Sequence, residues 1–243
     1  MQFPCYLARG FSTSERASCF IHHYGRLREL FPGHLLRQIL QDEITLHLFP
    51  GDGGRVALTM GLSRPYDNEG ELTFCLRVDG DIVFVLSFTI VPGWVVESQA
   101  AEVLLITRLQ GIKGCYRQIK DATRALHDVA PVQLLLAALQ GVAGAFGIRT
   151  IAAVPADRQT SYKKDADRDF KEAYDDFFAG LGLFRSETDF FSSAVPSEQK
   201  PLTLIKQGHK LRTKEKREFK RRIQLACSAF LQELVQFYSA KAS

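Results

Sequence analysis

Cysteine is scarce: five residues among 243 (Cys5, Cys19, Cys75, Cys115, Cys227), odd in number, widely spaced and without a CxxC pair. That excludes a disulfide framework and a cysteine-rich zinc site, and it fits a reducing compartment. Long apolar runs are also missing. The longest, Ile82 to Val91, is ten residues interrupted by Ser87 and Thr89, too short for a membrane span. The start, Met1-Gln2-Phe3-Pro4-Cys5, lacks the basic and apolar regions of a secretion signal, so a cytoplasmic protein with no transmembrane segment is expected. Without a Gly-x-Ser-x-Gly, covalent hydrolase chemistry of the serine type is disfavoured. His22 and His23 are adjacent and point apart on a helix, so they do not form a ligand pair and no metal is expected.

What is there is ordinary globular material, 46% hydrophobic and 24% charged. A chain of this length buries roughly 70–75% of its unfolded surface and supplies its own core. The charge is uneven. Lys206 to Arg222 holds nine Lys or Arg against Glu215 and Glu218, a local +7 on a chain of net +4, which leaves the rest near −3. Such an arm suits an anionic partner or a solvated helix face, and composition does not choose between them.

Periodicity orders the elements. Ser12-Thr13-Ser14-Glu15 is a capping-box pattern, followed by Phe20, Tyr24, Leu27 and Phe31 at helical spacing and a break at Pro32-Gly33. Leu35, Leu36, Ile39 and Leu40 predict a second short helix. The period then changes to two: Ile44, Leu46, Leu48; Val56, Leu58, Met60, Leu62; and Leu72, Phe74, Leu76, Val78. These read as strands of an antiparallel meander, with turn chemistry at 50–54, 65–70 and Asp79-Gly80. Ile82 to Val91 is a central strand stopped at Pro92-Gly93, and Trp94–Val96 and Val103–Ile106 are read as further strands. Arg108 to Gly114 reads as a basic, glycine-bearing loop between strand and helix. Helices are predicted over 116–127 and 131–146, then a strand over 149–154 parallel to 103–108. Residues 155–172 read as a surface excursion, 173–181 as a helix, 184–194 as two short strands, and 212–238 as a long amphipathic helix with Phe219, Ile223, Phe230, Leu234 and Phe237 on its apolar stripe.

The fold class is α+β, a mixed and mostly antiparallel sheet flanked by helices. An N-terminal helical segment, 1–42, precedes an α/β domain, 43–243, that includes a basic C-terminal helix over 206–238.

This order of elements, ending in Phe177-Phe178-Ala179-Gly180-Leu181-Gly182-Leu183, resembles the GCN5-related N-acetyltransferase (GNAT) fold. The resemblance implies that the segment after strand 103–108 cradles the phosphates of an acyl donor, a coenzyme A thioester or the phosphopantetheine of an acyl carrier protein. Arg108, Gln110, Gly111, Lys113 and Gly114 then stand as a stretched form of the GNAT donor loop, with Lys120 and Arg124 one helical turn apart beside it. The same residues also read as a turn and a solvated basic face. The GNAT general-acid position falls at Phe178, which has no proton to give; Tyr174, one turn earlier, is the candidate. Glu71 at a strand start, or His127 at a helix end, is the candidate proton acceptor; each also reads as an ordinary turn or capping residue. The basic run Lys206–Arg222 is the candidate docking surface for acyl carrier protein or another anionic partner. It interleaves only Leu211 and Phe219 and lacks the aromatic platforms that suit single-stranded nucleic acid.

At the level of motifs the chain resembles the VirK/YbjX family, a bacterial domain of unknown function (DUF535). The carriers are Glu69-Gly70-Glu71-Leu72, Gln110-Gly111, Ile119 to His127 with Pro131, Leu134 to Leu139, Tyr162-Lys163-Lys164, Tyr174-Asp175-x-Phe177-Phe178 and the basic run to Arg222. This resemblance implies a bacterial protein tied to virulence and to tolerance of cationic antimicrobial peptides. It leaves a non-catalytic binding protein as the alternative to a transferase.

Overall fold

The structure is a computed structural model and describes residues 6–49, 56–63, 69–162, 172–185 and 189–240. The turns expected at 50–54 and 65–68, and Lys163-Lys164, lie outside the described residues.

Helix α1 (Thr13–Leu30) starts on the capping box expected of it: Glu15 N donates to Ser12 Oγ at 3.2 Å and Ser12 N donates to Glu15 Oε2 at 2.6 Å. Helix α2 (Gly33–Gln41) follows the Pro32 break. The sheet then runs through β1 (Ile44–Phe49), β2 (Val56–Leu62), β3 (Leu72–Val78), β4 (Asp81–Pro92) and β5 (Glu102–Gly111). Next come α3 (Tyr116–Ala125), α4 (Pro131–Phe146), β6 (Thr150–Ala153), a π-helical turn (Glu172–Asp176), the short α5 (Phe177–Gly180), β7 (Phe184–Arg185), β8 (Phe191–Ala194) and the long α6 (Lys210–Ala240). Among the described residues eight strands lie in the order β1-β2-β3-β4-β5-β6-β8-β7, with every neighbouring pair antiparallel except β5 and β6. A mixed, mostly antiparallel α+β sheet with a long C-terminal helix is therefore the architecture.

One face of the sheet packs on α2, α4 and α6, with Phe74 and Phe88 4.9 Å apart between ring centroids at its centre. Each such buried side chain contributes about 1.5–3 kcal/mol by leaving water. The other face, over β5 and β6, is covered by Tyr6–Phe11 and by Cys19 of α1. Helix α1 crosses between the faces, since its Leu27 belongs to the first cluster. It crosses where β4 outruns β3: pairing ends at Leu72 with Phe88, and beyond it the amide of Ile90 donates to Nδ1 of the fully buried His23 at 3.1 Å.

Three expectations are corrected. Trp94–Val96 is not a strand but part of a 3₁₀ turn, Gly93–Val96, closed by Glu97 in the left-handed region. Gly93 permits it, because a Cβ there would fall 1.8 Å from the carbonyl oxygen of Ala100. In β1 a bulge between Thr45 and His47 shifts the alternation, so Phe49 turns inward and Leu48 is 65% exposed. On α6, Phe219 and Ile223 are buried but Phe237 is half exposed, because the helix outruns the core.

Candidate active site

Gly70 sits at φ +125°, and a Cβ on it would lie 2.8 Å from Thr107 Oγ1 and 2.9 Å from Ser87 Cβ. Only glycine lets the segment before β3 approach β4 and β5 this closely. Its neighbours Glu69 and Glu71 are thereby pressed onto the sheet.

Strand β5 carries a second device. Register slips between Ser87–Arg108 and Phe88–Ile106, leaving Thr107 as an extra residue. The bulge reverses the alternation, so Ile106 and Leu109 both reach the helix-covered core, while Arg108 and Gln110 share the opposite face with Ser87 and Val85. Thr107 Oγ1 donates to the carbonyl of Glu69 at 2.6 Å. Arg108 Nε lies 3.7 Å from Glu69 Oε2, Thr160 Oγ1 donates to Glu69 Oε1 at 2.6 Å, and the Gln110 amide lies against the Arg108 guanidinium, its oxygen accepting from Nη2 at 2.6 Å once the amide is turned to face it.

Tyr174 enters this group from the π-helical turn. Asp175 fixes that turn, accepting from the amide of Ala156 at 2.8 Å. Burial pushes the Tyr174 phenol up to about 12, with Glu69 adding to the rise and Arg108 opposing it. At neutral pH it is a hydrogen-bond donor and not a base.

Glu71 is held differently. Tyr24 donates to its Oε2 at 2.6 Å and Tyr6 donates to its Oε1. Both phenols are pushed upward, by burial first and then by the carboxylate. The cluster lies next to a parting of strands. The parallel pair is in register only over Leu104–Ile106 and Ile151–Ala153, after which Val154 makes one more bond and the chain turns at Pro155.

The donor loop is shorter than expected. Arg108 to Gly111 belong to β5, not to a loop; Ile112 N donates to Val83 O at 2.9 Å and Cys115 N to Ile112 O at 3.1 Å, so two amides are already paired. Lys113, and Gly114 at φ +89°, form the turn into α3, whose first turn has no side-chain cap. Lys120 and Arg124 are exposed on α3, Arg124 lying 3.2 Å from Asp121.

The structure thus sets Arg108, Gln110 and Glu69 side by side, with Tyr174, packed in the helix-covered cluster, within reach of the charges of Glu69 and Arg108, and Glu71 nearby through the Glu69-Gly70-Glu71 segment. It sets His127 apart. That residue follows the far end of α3, about 15 Å along the helix from Cys115, with φ 54° and its ring 4.8 Å from that of Phe219 on α6. Tyr6, Tyr24, Thr107 and Thr160 join the site without a sequence signal, since their partners are distant in the chain. Among the described residues no group of His, Cys, Asp and Glu is placed to hold a metal. Among them, too, no helix is long and apolar enough to cross a membrane.

A family model described as a protein of unknown function (DUF535) matches residues 3–232. No curated protein matches in sequence. Two solved structures are similar, a cAMP-binding acyltransferase from Mycobacterium smegmatis (TM-score 0.30, 13% identity) and a mutant of it (TM-score 0.28, 12% identity). Each comparison covers 90% of this chain and 63% of the other, so this chain spans less than two thirds of their length.

Proposed function

The chain belongs to the DUF535 family, matched over nearly its whole length, and from that premise we propose that it is an acyltransferase, moving an acyl group from a coenzyme A or acyl carrier protein thioester to an amine. The observation that carries the reading is the cluster of Glu69, Arg108, Gln110 and Tyr174 beside the point where the parallel strands β5 and β6 part. The GNAT resemblance supports it, because that fold places a donor thioester in such an opening. In this reading Lys113, Gly114, Lys120 and Arg124, with the uncapped first turn of α3, hold the donor phosphates. In this reading the reaction is a bacterial one, as the resemblance to the VirK/YbjX family implies, and a cytoplasmic one, as the scarce and scattered cysteines suggest.

The amine nitrogen bonds to the thioester carbon, the carbon–sulfur bond breaks, and the amine proton passes to Glu71. Tyr174 donates a hydrogen bond to the leaving sulfur. Full proton transfer from a phenol near 12 to a thiolate of ordinary pKa near 8.5 would run uphill by roughly 5 kcal/mol, so solvent completes that step. His127 stands outside this scheme. Should the donor ride on an acyl carrier protein, Lys206–Arg222 is its docking surface.

Calorimetry with coenzyme A thioesters of short and long chains, together with thiol release in the presence of amines, tests the reading. Lys120→Ala with Arg124→Ala abolishes donor binding at unchanged circular dichroism, and Tyr174→Phe lowers thiol release by about 10²-fold without weakening binding. If no thioester binds or turns over, the reading fails. A non-catalytic protein that holds an anionic partner in envelope maintenance then takes its place, a reading favoured by the paired amides of Ile112 and Cys115.

A further inference from the structure

Composition shows one basic run in the last forty residues, but the fold divides it. Arg212 and Lys216 turn toward the α3–α4 connection, where Arg212 Nη2 lies 2.9 Å from Asp128 Oδ2 and Lys216 donates to the Asp128 carbonyl. Lys214, Arg217 and Arg221, three and four residues apart, share the other side of α6. Together with Lys220 they wall a cleft of about 710 Å³ between α6, α4, the Gly180–Gly182 turn and the segment from Pro196 to Lys200.

The cleft has two chemistries. Its cations, with Lys200 added, face only Glu198 and Glu218 among the lining residues, and Glu218 is engaged by Arg221 at 3.9 Å. Burial, then Arg217 and Lys216, depress the pKa of Lys220, as expected of cations crowded without enough counter-charge. Leu136, Ala137, Leu181, Leu202 and Leu225 supply an apolar lining. The basic wall is held in place, because Arg217 Nη2 donates to the carbonyl of Lys200.

The volume is that of a small-molecule site. Among the described residues no aromatic side chain lines it, so bases have nothing there to stack on. The charge excludes a metal cation. We propose that this cleft binds an amphipathic anion, a phosphoester head on a short apolar group, with the head against Lys214, Arg217, Lys220 and Arg221 and the apolar part over the leucines. The site does not depend on the acyl-transfer reading, since no thioester enters its test.

The test is calorimetry of the full chain with octyl phosphate, inorganic phosphate and octyl glucoside. Octyl phosphate is expected to bind about tenfold tighter than either of the others, because it alone satisfies both chemistries. Lys214→Glu with Arg221→Glu, both exposed and outside the core, is expected to weaken octyl phosphate by about tenfold or more at unchanged circular dichroism. Leu225→Ser is expected to weaken octyl phosphate while leaving inorganic phosphate unchanged. Sedimentation with phosphatidylcholine vesicles, with and without phosphatidic acid, identifies the source. Pelleting only with the acidic lipid, lost in the charge variant, assigns the head to a bilayer, and binding in solution without pelleting assigns it to a soluble phosphoester. Equal affinity for octyl phosphate and octyl glucoside, or undiminished binding by the charge variant, overturns the proposal.

Discussion

The hydroxyl of Tyr24 donates to Oε2 of Glu71 across 2.6 Å, tying α1 to the start of β3 over 47 positions of chain. Tyr6 takes the other oxygen, so one carboxylate holds three segments together. Tyr24→Phe is expected to cost about 1.5–3 kcal/mol, the usual worth of a hydrogen bond to a charged group, and Glu71→Ala more, because two phenols then lose their acceptor. Urea midpoints at constant slope read both. A Tyr24→Phe midpoint equal to wild type would show that the contact ties nothing.

His23 makes stability depend on pH. Burial first, and His22 second, push its pKa from 6.5 down to about 3. The unfolded chain takes up the proton near 6.5 and the folded chain resists it, so the contribution is complete above that pH. It is lost as pH falls through the window, at up to about 1.4 kcal/mol per pH unit. His47, lowered by burial, acts with the same sign. His23→Gln keeps an acceptor for the Ile90 amide and removes the titration. Between about pH 6.5 and about pH 5 the variant should therefore lose less stability than wild type in urea titrations; parallel slopes would exclude His23 as the source.

Gly141 and Gly144 lie one turn apart on α4 and should respond oppositely. A Cβ on Gly141 would stand 2.3 Å from the carbonyl oxygen of Gln224 on α6, and backbone cannot swing aside. Gly141→Ala must therefore spread the two helices, at about 1–3 kcal/mol. Gly144 has nothing within 4 Å of such an atom, so Gly144→Ala gains helix propensity, about 0.5–1 kcal/mol. Thermal unfolding should move down for the first and up for the second.

Much of this molecule was legible because it is written in short-range patterns. The capping box at Ser12, the helix opened by Pro131 and closed at Gly147, and the alternation of β2 and β3 each rest on residues within a turn or two of one another. Reading failed where a single residue shifts a phase. The bulge at Thr45/His47 inverts Leu48, and Gly93 turns an apolar stretch into a 3₁₀ turn. The candidate site was legible in part. Arg108 and Gln110 are readable from the sequence as neighbours, yet Tyr6 and Tyr24, which hold Glu71, carry no sign of it, their contacts spanning 65 and 47 positions. Nor does a charge count reveal that α6 sends Arg212 and Lys216 one way and Lys214 and Arg217 another.

The crossing of α1 beside β4 reaches beyond packing. Past Phe88 this strand would otherwise present Thr89, Ile90 and Val91 as a bare rail on which a foreign polypeptide could zip. The imidazole on the Ile90 amide is a stopper on that rail. Clipping away the first thirty residues would unplug it and at the same time bare the β5–β6 face that Tyr6–Phe11 and Cys19 cover, so the shortened chain would be prone both to melt and to stick to its own copies.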